Sequence, residues 1–415
     1  MKSFLKKLFR NEKGNALIIA AAGMPLLIGF AGLANDTIQW SLWKRQLQRQ
    51  ADSAAIAGVY ARFAGQNLNT AVTRDLAKNS RTGISFETGY PVVTPLASTP
   101  QFEYMVQVQL AVRQQLPFSK FFTTEAPLIQ ANATAGGKEV GKYCVVSLEN
   151  TSTTGITAGG NTSVDFGCGM ITNSVSMDAA IAFGSSVVKA TPVAAVGGLD
   201  TTDNWASGTS LLPFTIPQPD PFEGVEPPPV PSGCTSFSDG PNSTTSITAL
   251  QSDGVTPRCF TDMTIKGNVT LAAGTYVITG DMKINSGAKV TCDGCTFVLT
   301  DNPASGTGTV DINGGAELNL KAPGTGPYAG LLFYQNRAAP STMSKINGNS
   351  NSFLQGAFYF PNSEVEYTGT AGLEFECVLL VVRRVTFMGN SKLKNNCPPT
   401  SGVPDVTGHH VRLVA

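Results

Sequence analysis

Histidine is nearly missing from this 415-residue chain, which holds only His409 and His410, side by side. Histidine-activated nucleophiles and H-E-x-x-H zinc sites need imidazoles distributed through a fold, so both chemistries are excluded. The two histidines are expected to be exposed on a terminal tail. Charge is scarce as well: Asp, Glu, Lys and Arg are 14% of residues and cancel to a net charge of zero. No field remains to gather nucleic acid. Neither a G-x-x-x-x-G-K-[ST] phosphate loop nor a G-x-S-x-G elbow occurs, and the lone Cys292-Asp-Gly-Cys295 lacks the second pair of a zinc ribbon. These absences predict a protein that is not an enzyme, with no cofactor, no metal and no nucleic-acid partner.

What the chain does hold is 43 Gly, 25 Pro and many Ser, Thr and Asn, the profile of a loop-rich β protein outside the cytoplasm. Its length allows two or three domains at about 150 residues each. Eight cysteines, Cys144, Cys168, Cys234, Cys259, Cys292, Cys295, Cys377 and Cys397, are even in number. All lie beyond an apolar N-terminal stretch, as expected of disulfides in an oxidising compartment.

That stretch reads "GNALIIAAAGMPLLIGFAGLANDTIQW". Residues 16–34 form a 19-residue run without charge, enough helix to cross a bilayer core of about 30 Å. Lys2, Lys6, Lys7, Arg10 and Lys13 precede it and Asp36 follows, so the positive-inside rule places the first segment in the cytoplasm and the rest beyond the membrane. Trp40 and Trp43 stand where an interfacial aromatic belt would lie. A cleaved signal, ending near Gly32 and Ala34, is the competing reading; a run longer than a signal core and the helix formers after it favour a retained anchor. Beyond Asp36, Ile38, Leu42, Leu47, Ala51, Ala54, Ala55, Gly58 and Ala61 recur at three- and four-residue spacing. They predict a helix with a packed stripe.

The basic start, the Gly-Asn, the apolar span containing Pro25, the acidic residue, the aromatic and the helix "LQRQADSAAIAGV" together resemble the N-terminal segment of TadE/TadG-like pilus-assembly proteins. The resemblance covers about 50 residues. It implies a single-pass protein of the bacterial inner membrane, most of it periplasmic, working with pilus-assembly or envelope proteins of tight-adherence (Flp type IVb) machinery. Contact with inner-membrane lipid belongs to the same expectation, while the stripe of small residues offers self-association as the alternative to packing within the chain. Two departures stand out. Ile19 occupies the place of the Glu that prepilins keep after the processing Gly, and no D-x-S-x-S motif of a von Willebrand A domain occurs.

Residues 66 to about 136 read as a short helix, "NLNTAVTRDLAKNS", and strands around "FEYMVQVQLAVRQQL" and "PLIQANATA". Phe102, Tyr104, Val106 and Val108 alternate with polar residues, predicting one buried face. Together with the long helix this is a small α/β membrane-proximal domain. From Lys142 onward, Gly-led turns precede short alternating strands. Gly267, Gly287, Gly315, Gly348, Gly369 and Gly389 recur at steps of 20, 28, 33, 21 and 20 residues. Such steps predict a mainly-β region forming a parallel β-helix, or β-solenoid, with loop insertions; a β-sandwich is the alternative. The resulting division is a basic tail 1–15, a transmembrane helix 16–34, helix and α/β domain 35–140, first coils 141–210, an exposed Pro-rich connector 211–233 with eight prolines, solenoid 234–400 and tail 401–415.

Cys377 follows Gly369 by eight residues and Cys397 follows Gly389 by eight. Equivalent positions of successive coils stack about 4.8 Å apart, within reach of a disulfide, so Cys377 should bond Cys397 and Cys144 should bond Cys168 by the same register. Cys292 and Cys295 either close a local turn or pair with Cys234 and Cys259. Glu364 with Glu366, and Glu374 with Glu376, each share a strand face. Such pairs could serve a membrane-tethered β-helix that binds or degrades polysaccharide, although a half-exposed strand looks the same. Asp311, Asn313 and Glu317 lack the order of a calcium loop and read as a polar turn.

Overall fold

A computed structural model describes residues 15–80, 85–121, 123–300, 308–347, 349, 351–369, 374–375, 377–389, 391–393 and 396–414. The basic segment up to Gly14, Gly348 and Glu376 lie outside the described residues. The chain forms two compact units, Met1–Lys138 with Val411–Ala415, and Glu139–His410.

In the first unit one unbroken helix runs from Asn15 to Phe63 with Pro25 inside it. Early in it Gly32 and Asp36 are buried, whereas Ile19, Met24, Leu26, Leu27, Ile28 and Phe30 are exposed. Farther along, Leu47, Ala51, Ala54, Ala55, Gly58, Val59 and Ala61 are buried. Small residues let other elements come close: a Cβ on Gly58 would meet Val106 at 2.8 Å and Leu68 at 3.0 Å. The stripe therefore packs within the chain, against a second helix Leu68–Lys78 and the strand Glu103–Arg113. Asn67 starts that second helix by accepting the Thr70 N–H at 3.0 Å, an N-cap. Three antiparallel strands, Val92–Pro95, Glu103–Arg113 and the first part of Leu128–Ser147, complete the unit.

Two expectations are corrected here. Ile38 and Leu42 are exposed, because the packed face follows Gly32, Asp36, Trp40 and Leu47 at helical spacing and those two fall off it. Tyr104 is exposed too, with φ 50°. The register shifts between Glu103 and Val106, and this bulge breaks the alternation, which starts only at Val106.

The second unit is a β-solenoid of about 10 turns. Among the described residues the coils pair in parallel, in three columns, which excludes the sandwich. In one coil, for example, Gly274–Ile278, Met282–Ile284 and Lys289–Asp293 supply the three strands. They pair with Cys295–Leu299, Val310–Ile312 and Glu317–Lys321 of the next. Of the glycines that mark the register, Gly267, Gly287 and Gly315 sit at the turn between the second and third strands, Gly369 and Gly389 end their strands, and the Gly287 N–H donates to the Gly315 carbonyl. Inside the first column, Tyr276, Phe297, Phe333 and Phe358 stack at centroid distances of 5.8, 5.3 and 5.1 Å. Each stacked pair adds about 0.5–1.5 kcal/mol beyond simple burial.

The order of coils in space differs from their order in the chain. Leu380, Val381 and Val382 pair with Val145, Val146 and Ser147, and Val385–Met388 pair with Ile156–Gly159. The first coils thus stack upon the last. The sequence-order division into 141–210 and 234–400 is, in the fold, a single stack. Leu211–Leu212 ends the stack on one side and Thr235–Ser238 on the other, ten successive parallel pairings apart. At about 4.8 Å each that is about 48 Å. The residues between them, at up to about 3.3 Å each, reach that far with modest slack.

The Pro-rich segment is accordingly a strap along the stack rather than an exposed spacer. The Thr215 N–H donates to the Ala195 carbonyl, Gln218 and Asn173 exchange two bonds of 2.8 Å, and Phe222 is buried against Tyr359. The segment 401–415 is not a free tail either. It holds part of a short 3-10 turn, Pro399–Ser401, and the strand Val406–Val414, in which His409 and His410 are half-buried. Gly402, at φ 72°, lies so close to Gly330 that a Cβ on either would collide with the other's backbone. Strap and C-terminal residues cover the outer side of the first column, where Val146, Val298, Tyr334, Tyr359 and Val381 form a second apolar layer with Phe222 and Val406.

Replacing Phe222 by Ala should open the strap while the coils stay folded. Limited proteolysis should then cut within 211–233 at least tenfold faster than in wild type, with the far-ultraviolet circular dichroism unchanged.

Candidate functional site

Two places gather polar chemistry, and one is the helix where its apolar run ends. Asp36 is 0% exposed. Its Oδ2 accepts the Ser119 backbone N–H at 2.6 Å, which fixes the 3-10 turn Ser119–Phe121 to the helix. Gly32, one helical turn earlier, leaves room for the Phe118 ring, and any Cβ there would overlap it. Trp40 and Trp43 are half-buried on the same stretch. The sequence offered Asp36 only as the end of the span; the structure makes it a buried acceptor.

The second place is the turn joining the first two columns at the junction of first and last coils. Glu149, with a side chain 1% exposed, lies 3.0 Å from Arg383 Nε and 3.8 Å from Arg384 Nε. Thr151 donates its N–H and hydroxyl to Glu149 Oε1 at 3.0 and 2.7 Å. Burial pushes the Glu149 carboxyl up, but the Thr151 bonds and the Arg383 charge outweigh it and hold the group below its ordinary value. Arg384 also reaches Glu364 at 3.5 Å, and the Thr386 hydroxyl donates to Glu364 at 3.3 Å. Ser147 Oγ, the Leu148 N–H and the Glu149 N–H all donate to carbonyls of 382–383, so side chains and backbone bind the same seam.

The strap carries a smaller network. Tyr359 donates to Asp220 at 2.7 Å, and burial followed by that bond drives its phenol far above the usual range. Arg337 stands 3.6 Å from Asp220 and donates to the carbonyls of Phe222 and Val225. Glu149, Asp220 and Arg337 escape a sequence reading because their partners lie more than a hundred residues away.

The residues singled out from sequence fall as follows. Cys144 bonds Cys168, Cys234 bonds Cys259, Cys292 bonds Cys295 and Cys377 bonds Cys397, with Cα separations of 5.8, 4.7, 6.0 and 4.5 Å. Each bond has at least one partner at the corner where the chain passes from a third-column strand into the first column: Cys168, Cys259, Cys292 with Cys295, and Cys377. Glu364 and Glu366 share the outer face of the strand Phe353–Gly369, with Val365 and Tyr367 pointing inward. Glu374 lies on the strand Glu374–Phe375. Glu317 pairs with Lys289 at 2.9 Å, while Asp311 and Asn313 are exposed. Among the described residues no group of three or more potential metal ligands occurs.

Residues 14–62 match the family model described as putative Flp pilus-assembly TadE/G-like. The matched segment is the long helix almost end to end. No curated protein and no solved structure matches the chain.

Glu149→Gln leaves two arginines facing an uncharged partner and should lower stability by roughly 3 kcal/mol near neutral pH, as for other broken buried pairs. The folded carboxyl titrates below its unfolded value of about 4.3, so its stabilisation is complete above about pH 5 and fades as the pH falls through the folded value. Denaturant midpoints of wild type and E149Q should therefore differ at pH 7 and draw together only as the pH falls through the folded value, which lies below the unfolded one.

Proposed function

We propose that this chain is a membrane-anchored, non-enzymatic structural protein acting in the assembly, anchoring or adhesive function of a tight-adherence pilus. The observation that carries the reading is the coincidence of the TadE/G-like match, 14–62, with a continuous helix whose early part is apolar and exposed and whose later part is packed. Among the described residues this is the one helix long and apolar enough to cross a membrane. Lipid is the solvent that accommodates such an exposed surface.

Basic residues before the span and Asp36 after it favour a cytoplasmic first segment and an extracytoplasmic solenoid. Four disulfides suit that side. The partners would be pilus-assembly or envelope proteins. The mechanism is scaffolding: each coil is held by its neighbours, by inter-coil disulfides and by a strap, so the stack offers a stiff surface while the helix holds the chain at the inner membrane. Against polysaccharide chemistry, Glu364 is tied to Arg384 and Thr386, a poor setting for a proton-transfer group.

Deleting the gene should reduce surface pili and attachment, and the wild-type chain should restore both. A chain lacking 16–34 should leave the membrane fraction and fail to restore them. Unchanged pili in the deletion strain would refute the pilus role. Loss of polysaccharide turnover on Glu364→Gln with Glu366→Gln would refute the non-enzymatic one.

A further inference from the structure

The turn that Asp36 holds ends in an aromatic side chain without cover: Phe121 is 84% exposed, the most exposed large aromatic among the described residues of the first unit. Its height along the helix decides what that means. Phe118, in the same turn, packs on Gly32, which lies inside the uncharged run 16–34. Counting from Pro25 at the middle of the run, Gly32 is about 10 Å out at 1.5 Å per residue, short of the roughly 15 Å half-thickness of a bilayer core. Asp36 then falls at its boundary. Ile38 and Leu42 continue the exposed apolar surface past Asp36, and Lys44 and Arg45 follow.

Backbone can enter that zone only if its polar groups are satisfied. Three amides of this turn are paired within the chain: the Ser119 N–H goes to Asp36, the Lys120 N–H to the Leu116 carbonyl and the Phe121 N–H to the Phe118 carbonyl, and the Ser119 hydroxyl also goes to Leu116. Asp36 in turn is shielded from lipid by the turn it binds. Lys120 is exposed beside Phe121, long enough to place its ammonium among phosphates while its stem stays apolar.

We infer that residues 116–121 form a membrane-dipping turn that places Phe121 in the acyl–headgroup boundary of a phospholipid bilayer. It gives the first unit a second membrane contact beside its helix and fixes the helix against rotation. The inference rests on the anchor reading.

The full chain is reconstituted in phosphatidylcholine–phosphatidylglycerol vesicles after placing an environment-sensitive thiol label at one position at a time. The positions are Phe121→Cys, Lys120→Cys as its neighbour, Ile28→Cys in the span and Val255→Cys on the solenoid; the native cysteines are all paired. Labels at 121 and 28 should emit to the blue and be quenched at least threefold by spin-labelled lipid, 121 by shallow and 28 by deep probes. The labels at 120 and 255 should be less affected and unaffected, respectively. A label at 121 that behaves like 255 while 28 is quenched overturns the dipping turn and leaves the anchor standing. A label at 28 that is not quenched overturns both.

Discussion

A strand at the end of a parallel stack keeps one edge of N–H and carbonyl groups unsatisfied until another strand lies beside it. In this solenoid the edge offered by 145–159 is met by 380–388, and the partners Glu149 and Arg383 are 234 residues apart. Closing a loop of that length costs only about 2 kcal/mol more than closing a coil of 24 residues, because the entropy grows with the logarithm of length. Burial of one or two side chains such as Ile156 or Val381 offsets that difference. The seam is thus thermodynamically inexpensive, but it makes the fold non-local: the first coils wait for the last before their edge is covered.

The strap is a geometric consequence of that seam. Since the first coils lie beyond the last ones, the chain must run back along the stack to begin the remainder at Thr235. Eight prolines suit the route, since an extended segment without ladder donors can lie along a sheet without joining it. Phe222, Asp220 and Val225 give it side-chain contacts, and with 399–408 it covers the outer side of the first column. Disulfides at one corner then fix neighbouring coils to each other.

Local features of the chain foretold local features of the fold. The uncharged run became the exposed start of a long helix, the recurring glycines became one repeated turn, and the eight-residue offset of Cys377 and Cys397 became a bond between stacked positions. Stacking order was not legible, because "GGNTSVDFGC" and "TGTAGLEFEC" carry the same pattern and any coil edge fits any other. A cover for the first column was legible but requires attention to a different signal. "CTFVLT", "GLLFYQ", "GAFYF" and "CVLLVV" are apolar without alternation, which demands burial on both faces, whereas the other two columns alternate. Asp36 and Glu149 were invisible because a buried carboxylate is defined by its partners, here Ser119 and the Arg383–Arg384 pair.

For a scaffold, the seam matters because it decides whether the coils act as one rigid body or as two arrays joined by a Pro-rich linker. Thr157 and Thr386 face each other across it as half-exposed, directly opposed partners. The decisive measurement is mass spectrometry of non-reduced peptides from the double variant Thr157→Cys with Thr386→Cys after mild oxidation. A single stack predicts a 157–386 disulfide in monomeric protein, beside the four native bonds. Two thiols that stay free, with the native bonds intact, would contradict it.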